Sequence, residues 1–212
     1  MHIPDGFLSP QVFVPFWVAA VVGLSLALKK TKQTLKEKAV PLMGVVAAFI
    51  FAAQMLNFPV FVGTSGHLLG GVLAVVLLGP WAGVIVISLV LFVQSLVFQD
   101  GGITALGANI FNMAFLGAFA GYFIYHLCKK KLGLTISVGI ASWFSVVIAA
   151  FACAVELCLS GASAFKIVFL AMLGVHSLIG IGEAIITCLV VSFVFKVRPD
   201  LIYGYKIGQS KV

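Results

Sequence analysis

Charge is what this chain has least of. Only 9% of its 212 residues are Asp, Glu, Lys or Arg, against 62% hydrophobic, whereas soluble domains carry about 25% charged residues. A water-soluble globular fold is excluded. No GxxxxGK[ST] phosphate loop is present, so the chain cannot use ATP itself. No HExxH or similar pair stands at metal-ligand spacing, which argues against an intramembrane metalloenzyme. No CxxC occurs; Cys128, Cys153, Cys158 and Cys188 lie in or at the ends of apolar runs and read as small buried hydrophobes. Residues 1–8 lack the basic n-region and cleavage site of a signal peptide, so the mature chain is expected to begin at Met1.

What is there is apolar sequence in runs near the ~20 residues needed to cross a bilayer as helix. The runs cover about 10–28, 39–56, 67–79, 83–98, 104–127, 134–159 and 168–195. The expected fold is all-α and polytopic, a single transmembrane domain of about seven helices over 1–212. The run 67–79 is too short to cross alone, extending only ~20 Å as helix against a ~30 Å hydrocarbon core. Either this helix starts below the outer surface or residues 67–98 form a re-entrant hairpin. In both cases the preceding loop, 57–67, dips inward, which is tolerable only where it is buried in protein or lines a cavity.

The +7 net charge suggests nucleic acid only until the charges are placed. Lys29, Lys30, Lys32, Lys36 and Lys38 follow the first run, Lys129, Lys130 and Lys131 the fifth, and Lys196, Arg198, Lys206 and Lys211 the last. Twelve of thirteen basic residues thus sit on alternate loops, with Lys166 the exception. Positive loops stay in the cytoplasm, so the amino terminus is expected outside and the tail 197–212 inside a prokaryotic plasma membrane. No nucleic-acid partner is implied; the surrounding partner is lipid.

The first residues, MHIPDGFL, carry the chemistry. His2 lets one stretch of chain offer three nitrogens: the Met1 amine, the His2 amide and the His2 imidazole. Amine and amide close a five-membered chelate ring, amide and imidazole a six-membered one. Such a planar set suits Ni(II) or Cu(II) better than tetrahedral zinc. One in-plane position stays open, and His67, placed at the mouth of an outward-facing cavity on the same side, is the histidine positioned to fill it. The start of a helix at His67 would also disfavour imidazolium. Weighed alone, His at position 2 is as well explained by chance, and Pro4-Asp5-Gly6 by a turn.

With those residues in place the sequence resembles the CbiM/NikM family, substrate-binding components of cobalt and nickel transporters of the energy-coupling-factor class. The resemblance rests on MHIPDGFL at 1–8, Gly66-His67-Leu68-Leu69-Gly70-Gly71, Leu78-Gly79-Pro80, the long stretch from Gln94 through Asn109 to Met113, and His176 to Ala184. It implies metal ligation by the Met1 amine, the His2 amide and imidazole and the His67 imidazole. It implies Ni(2+) or Co(2+) as transported substrate, four planar nitrogens leaning towards nickel. It also implies a transmembrane coupling subunit, cytosolic ATPase subunits and a small auxiliary membrane subunit as partners, with no catalysis by this chain. Rival readings are a stand-alone channel or carrier and the metalloenzyme disfavoured above.

Other polar residues are candidates for support. Asp5 could orient the His2 ring or simply make the turn. Asn57, Thr64 and Ser65 fit a role in satisfying the backbone of the dipping loop. Gln94, Asp100, Asn109 and Asn112 could hold the site from below, local capping being the plainer role for Asp100. His176 and Glu183, seven apart on one face of the last helix, suit interhelical hydrogen bonds or, more sharply, an inward metal relay. Glu156 is expected to reach the outer interface.

Overall fold

The computed structural model describes residues 1–34, 39–60 and 64–205. Helix α1 (Pro10–Thr34) is followed by α2 (Val40–Gln54) and a two-stranded antiparallel ribbon, β1 (Phe58–Pro59) with β2 (Ser65–Gly66), in which Phe58 faces Gly66. Then come α3 (Gly71–Leu78), α4 (Pro80–Val97), α5 (Leu106–Ile110), a π-helical stretch (Phe111–Ala120), α6 (Gly121–Leu159), α7 (Phe165–Val197) and a 3-10 turn (Pro199–Leu201). Lys36, Lys38, Lys206, Lys211 and Gly63 lie outside the described residues.

Four stretches are long and apolar enough to cross a membrane: Pro10–Gln33, Pro80–Val97, Leu106–Leu159 and Phe165–Val197. The third, 54 residues long, would run ~80 Å as one helix, far beyond a bilayer. It is broken at Gly133, whose φ of 75° and ψ of 179° are non-helical and accessible to glycine without a Cβ penalty. The Lys129–Lys131 run sits just before this break.

Polarity is arranged as lipid demands. Val14, Val18, Val21 and Val22 on α1, and Leu178, Ile181, Ile185 and Leu189 on α7, are exposed, while Gln54, Gln94, Asn109, Asn112, Glu156, His176 and Glu183 are buried. Outside a membrane this would be inverted. In hydrocarbon it follows from the cost of leaving polar groups unpaired.

The short helix is α3, and it is buried along all eight residues. The chain reverses at Gly79, with φ 84°, and Pro80 starts α4 where its missing N–H costs nothing. The Tyr203 N–H donates to the Val76 carbonyl, 2.9 Å. A cavity of about 520 Å³ is lined by Ala39, Leu42, the Gly79–Pro80 turn and residues of 198–205. The turn therefore lies at the same end as the start of α2 and the end of α7, which favours the helix that starts late over the re-entrant hairpin. Glycines let it pack tightly: a Cβ on Gly71 would lie 3.1 Å from the Ala118 backbone, and one on Gly121 2.6 Å from Val72.

Candidate metal centre

The amino-terminal peptide does not project; it is threaded into the helices. Met1, His2 and Ile3 are 1%, 3% and 0% exposed, so their backbone polar groups need partners. Asn109 supplies two: its Oδ1 accepts from the Ile3 N–H at 2.9 Å and its Nδ2 donates to the Ile3 carbonyl at 3.1 Å. The Gly102 N–H donates to the same carbonyl, 2.9 Å. Asp5 accepts from the Ile103 N–H (3.1 Å), the Thr104 N–H (2.7 Å) and the Thr104 hydroxyl (2.5 Å), and these bonds hold its carboxyl below the usual carboxylate range. The peptide is thus stitched to residues 102–104 and to the helix behind them. Gly102 is required by close approach, since a Cβ there would strike the Asp5 backbone.

A second set of bonds shapes the chain around His67. The buried Glu183 of α7 accepts from both the Leu69 N–H (2.7 Å) and the Gly70 N–H (2.8 Å). Gln54 of α2 donates to the Leu69 carbonyl, 2.7 Å. Gly70 takes a left-handed φ of 72° to turn into α3. His67 therefore stands four residues ahead of the helix, which corrects the expectation that it starts one. It is 1% exposed, which also corrects its placement at a cavity mouth. Its imidazolium is disfavoured by burial first, and then by the neighbouring amino terminus and His2, which hold its pKa well below normal. The Nδ1–H donates to the Leu68 carbonyl at 2.8 Å, which fixes the tautomer and leaves Nε2 a bare lone pair. That Nε2 is buried with no partner.

The two sets meet at Ser65. Its hydroxyl oxygen lies 3.1 Å from the Met1 amine, 3.2 Å from the His2 amide nitrogen and 3.3 Å from His2 Nδ1. These are the three nitrogens of the expected chelate, and Nδ1 is the ring atom that closes the six-membered ring. All three converge on one point. The Met1 amine also donates to the Ser65 carbonyl. The His2 and His67 rings stack, centroids 4.5 Å apart and planes 21° from parallel. Burial lowers the pKa of the amine from 8.0 to about 5, and lowers that of His2 as well. At neutral pH the amine carries a lone pair, the form a metal needs, while neutral His2 holds its proton on Nδ1 towards Asp100, and that proton must leave or move to Nε2 for Nδ1 to bind.

Asp100 supplies the one nearby carboxylate on the His2 side. Its Oδ1 is 3.0 Å from His2 Nδ1 and its Oδ2 accepts from Asn57 at 2.8 Å. These partners outweigh its half-burial and keep its pKa low. A turn with two positive φ values, Gln99 at 55° and Gly101 at 96°, places it there. Asp100 is therefore not a local cap but reaches both loops. Gln94 is buried with its amide atoms unpartnered. Thr64 donates to the Met172 sulfur at 3.3 Å.

Glu156 departs from expectation. It is buried at 2% and accepts from Asn112 at 2.7 Å, rather than reaching the interface, because the π-helical stretch that carries Asn112 packs against its helix. Among the described residues no three His, Cys, Asp or Glu side chains form a metal cage. The expected donors are instead partly main-chain nitrogens. The grip of Glu183 and Gln54 on the His67 segment was not legible as such; their cost inside a membrane span was the only signal.

Comparisons with known proteins place the chain among metal-transport proteins. The family model described as the cobalt uptake substrate-specific transmembrane region (CbiM) matches residues 2–201. A putative fused nickel transport protein of Archaeoglobus fulgidus is 41% identical over 95% of this chain and 68% of its own length. A putative metal transport protein of Haloquadratum walsbyi is 42% identical over 96% of this chain and 94% of its own. A crystal structure of a truncated transition metal transporter superposes with a TM-score of 0.88 at 40% identity, covering 92% of this chain and 99% of that one.

Proposed function

The chain belongs to the CbiM family of metal-transport membrane proteins, and from that premise we propose that it is the substrate-capture subunit of an ATP-driven uptake transporter, with Ni(II) as its substrate. The metal is taken from outside into a planar site of four nitrogens: the Met1 amine, the His2 amide, His2 Nδ1 and His67 Nε2. The observation that carries this reading is the convergence of the first three on the Ser65 hydroxyl. Metal–nitrogen bonds of about 2 Å are shorter than these separations, so the ion would draw the donors inward and displace or sit beside that hydroxyl. Asp100 supplies negative charge next to the ring without being in the donor set, and Asp5, Asn57, Thr64 and Asn109 hold the two loops. Co(II) is the second reading, favoured by the family description.

The same reading gives seven crossings, with α3 and α5 to the first half of α6 counted as spans and Gly133 separating the fifth from the sixth. The lysine-rich ends lie inside and the amino terminus outside. Without a phosphate loop of its own, the subunit draws on a transmembrane coupling subunit, cytosolic ATPases and a small auxiliary membrane subunit for energy.

The deciding test is calorimetric titration of Ni(II) into the detergent-purified chain. Extension before Met1, or His67→Ala, is expected to abolish tight binding, while a carboxy-terminal tag leaves it intact. Retention of tight binding by the extended chain would overturn the chelate.

A further inference from the structure

One histidine next to the proposed site is left without a role in capture. His176 on α7 is fully buried. Its Nδ1–H donates to the Met172 carbonyl one turn earlier, 2.8 Å, so its Nε2 is a bare lone pair. That Nε2 has no partner, an expensive state for a buried polar atom. The ring lies beside the Ser65 carbonyl, the group that also receives the Met1 amine, and close enough to His67 and the amino terminus to interact with both electrostatically. It is not bonded to either. Its helix also carries Glu183, which holds the backbone just past His67. Two buried imidazoles, His67 and His176, close enough to feel each other's charge, thus each carry an Nε2 without a hydrogen-bond partner.

We propose that His176 is the handover ligand, taking the metal together with His67 when the amino-terminal peptide lets go. This rests on the capture site proposed above and adds the step after it. A square-planar ion exchanges ligands by accepting an incoming donor first, and a bare divalent cation cannot enter an apolar interior unaccompanied. Among the described residues, His176 Nε2 is an imidazole donor that the capture site does not use. The first exchange forms one metal–nitrogen bond, to His176, and breaks one, to the Met1 amine, which leaves with its lone pair; the oxidation state is unchanged and no proton moves. The peptide lets go when two waters take the positions of the His2 imidazole and amide, one of them passing a proton to the amide nitrogen and staying on the ion as hydroxide. His67 keeps its bond throughout, as befits a ligand clamped by α7 itself, whereas the amino-terminal peptide is held only by loops and Asn109.

The test separates binding from transport. His176→Asn keeps an N–H where Nδ1–H donates to Met172 and removes the Nε2 donor. His176→Gln places an oxygen near the Nε2 position. Nickel affinity is measured by calorimetry on each purified chain, and uptake by proteoliposomes holding the complete transporter. The expected result is an H176N chain that binds nickel within about threefold of wild type while uptake falls at least tenfold, and an H176Q chain that regains part of that uptake. Wild-type uptake by H176N would overturn the handover role, and so would loss of nickel binding by both variants, which would place His176 in capture or in the fold. Failure of the underlying reading shows differently, as tight binding that survives His67→Ala in the unaltered background.

Discussion

At the scale of single residues, the proposed site depends on an amine and imidazoles that are uncharged because they are buried. The Met1 amine is held near a pKa of about 5 instead of 8.0, so the protonated form competes with metal only below about pH 5. Below that value both the docked and the free amine are protonated; between about 5 and 8 only the free one is. Metal affinity is therefore expected to fall steeply as pH drops through about 5, not through 8. Above it a shallower slope of about one proton per ion remains, from the His2 amide. Calorimetry in buffers of different ionisation enthalpy counts that proton, and a count of zero near neutrality would remove the amide from the donor set. Gly102→Ala belongs to this scale too. Its Cβ meets the Asp5 backbone, so the amino-terminal peptide must shift, and nickel affinity is expected to fall about 10–100-fold while circular dichroism stays unchanged. The proposed donors could be named from the sequence because MHIPDGFL and His67 are local signals. Ser65 was not, because its importance lies in three distances to another part of the chain.

Among the elements, the segment between α2 and α3 shows how a non-helical stretch survives inside a membrane. Its backbone groups are paired across the ribbon, by Gln54 and by Glu183. Glu183→Gln replaces one acceptor by an amide donor facing another donor, leaving a buried N–H unpaired. The expected cost is about 1–3 kcal/mol, read as a lower melting temperature in detergent with weaker nickel binding. Glu183→Leu is expected to cost more. An unchanged melting temperature for both would show that the clamp contributes nothing. The apolar runs located the helices, including the late start of α3. The four-residue offset between His67 and its helix escaped that reading, because Leu68 and Leu69 are as apolar as the helix they precede. The π-helical stretch at Phe111–Ala120 also left no mark, since its residues continue the helical pattern on either side.

For the whole molecule, the arrangement of charge and lipid-facing surface sets orientation. With cysteines introduced singly at Lys130 and at Ser163 in an otherwise cysteine-free chain, a membrane-impermeant maleimide applied to intact cells is expected to label position 163 and not 130. Labelling of both sites or the reverse pattern would invert the proposed orientation. The exposed valines of α1 and the exposed Leu178, Ile181, Ile185 and Leu189 of α7 mark faces that hydrocarbon covers, and these were visible as uninterrupted apolar runs.

By itself the sequence determined the solvent, because too few charges are present to face water. It also determined the helices, because run length is set by bilayer thickness, and it offered the proposed nitrogen donors nearest the amino terminus, because a chelate from one peptide is a local property. The tertiary structure alone decided that residues sixty and more positions apart share one point, that Asp100 faces His2 rather than its own turn, and that Glu183 grips the backbone beside His67. Those depend on which buried groups find each other once water is excluded, and pairing at a distance leaves no periodicity to read.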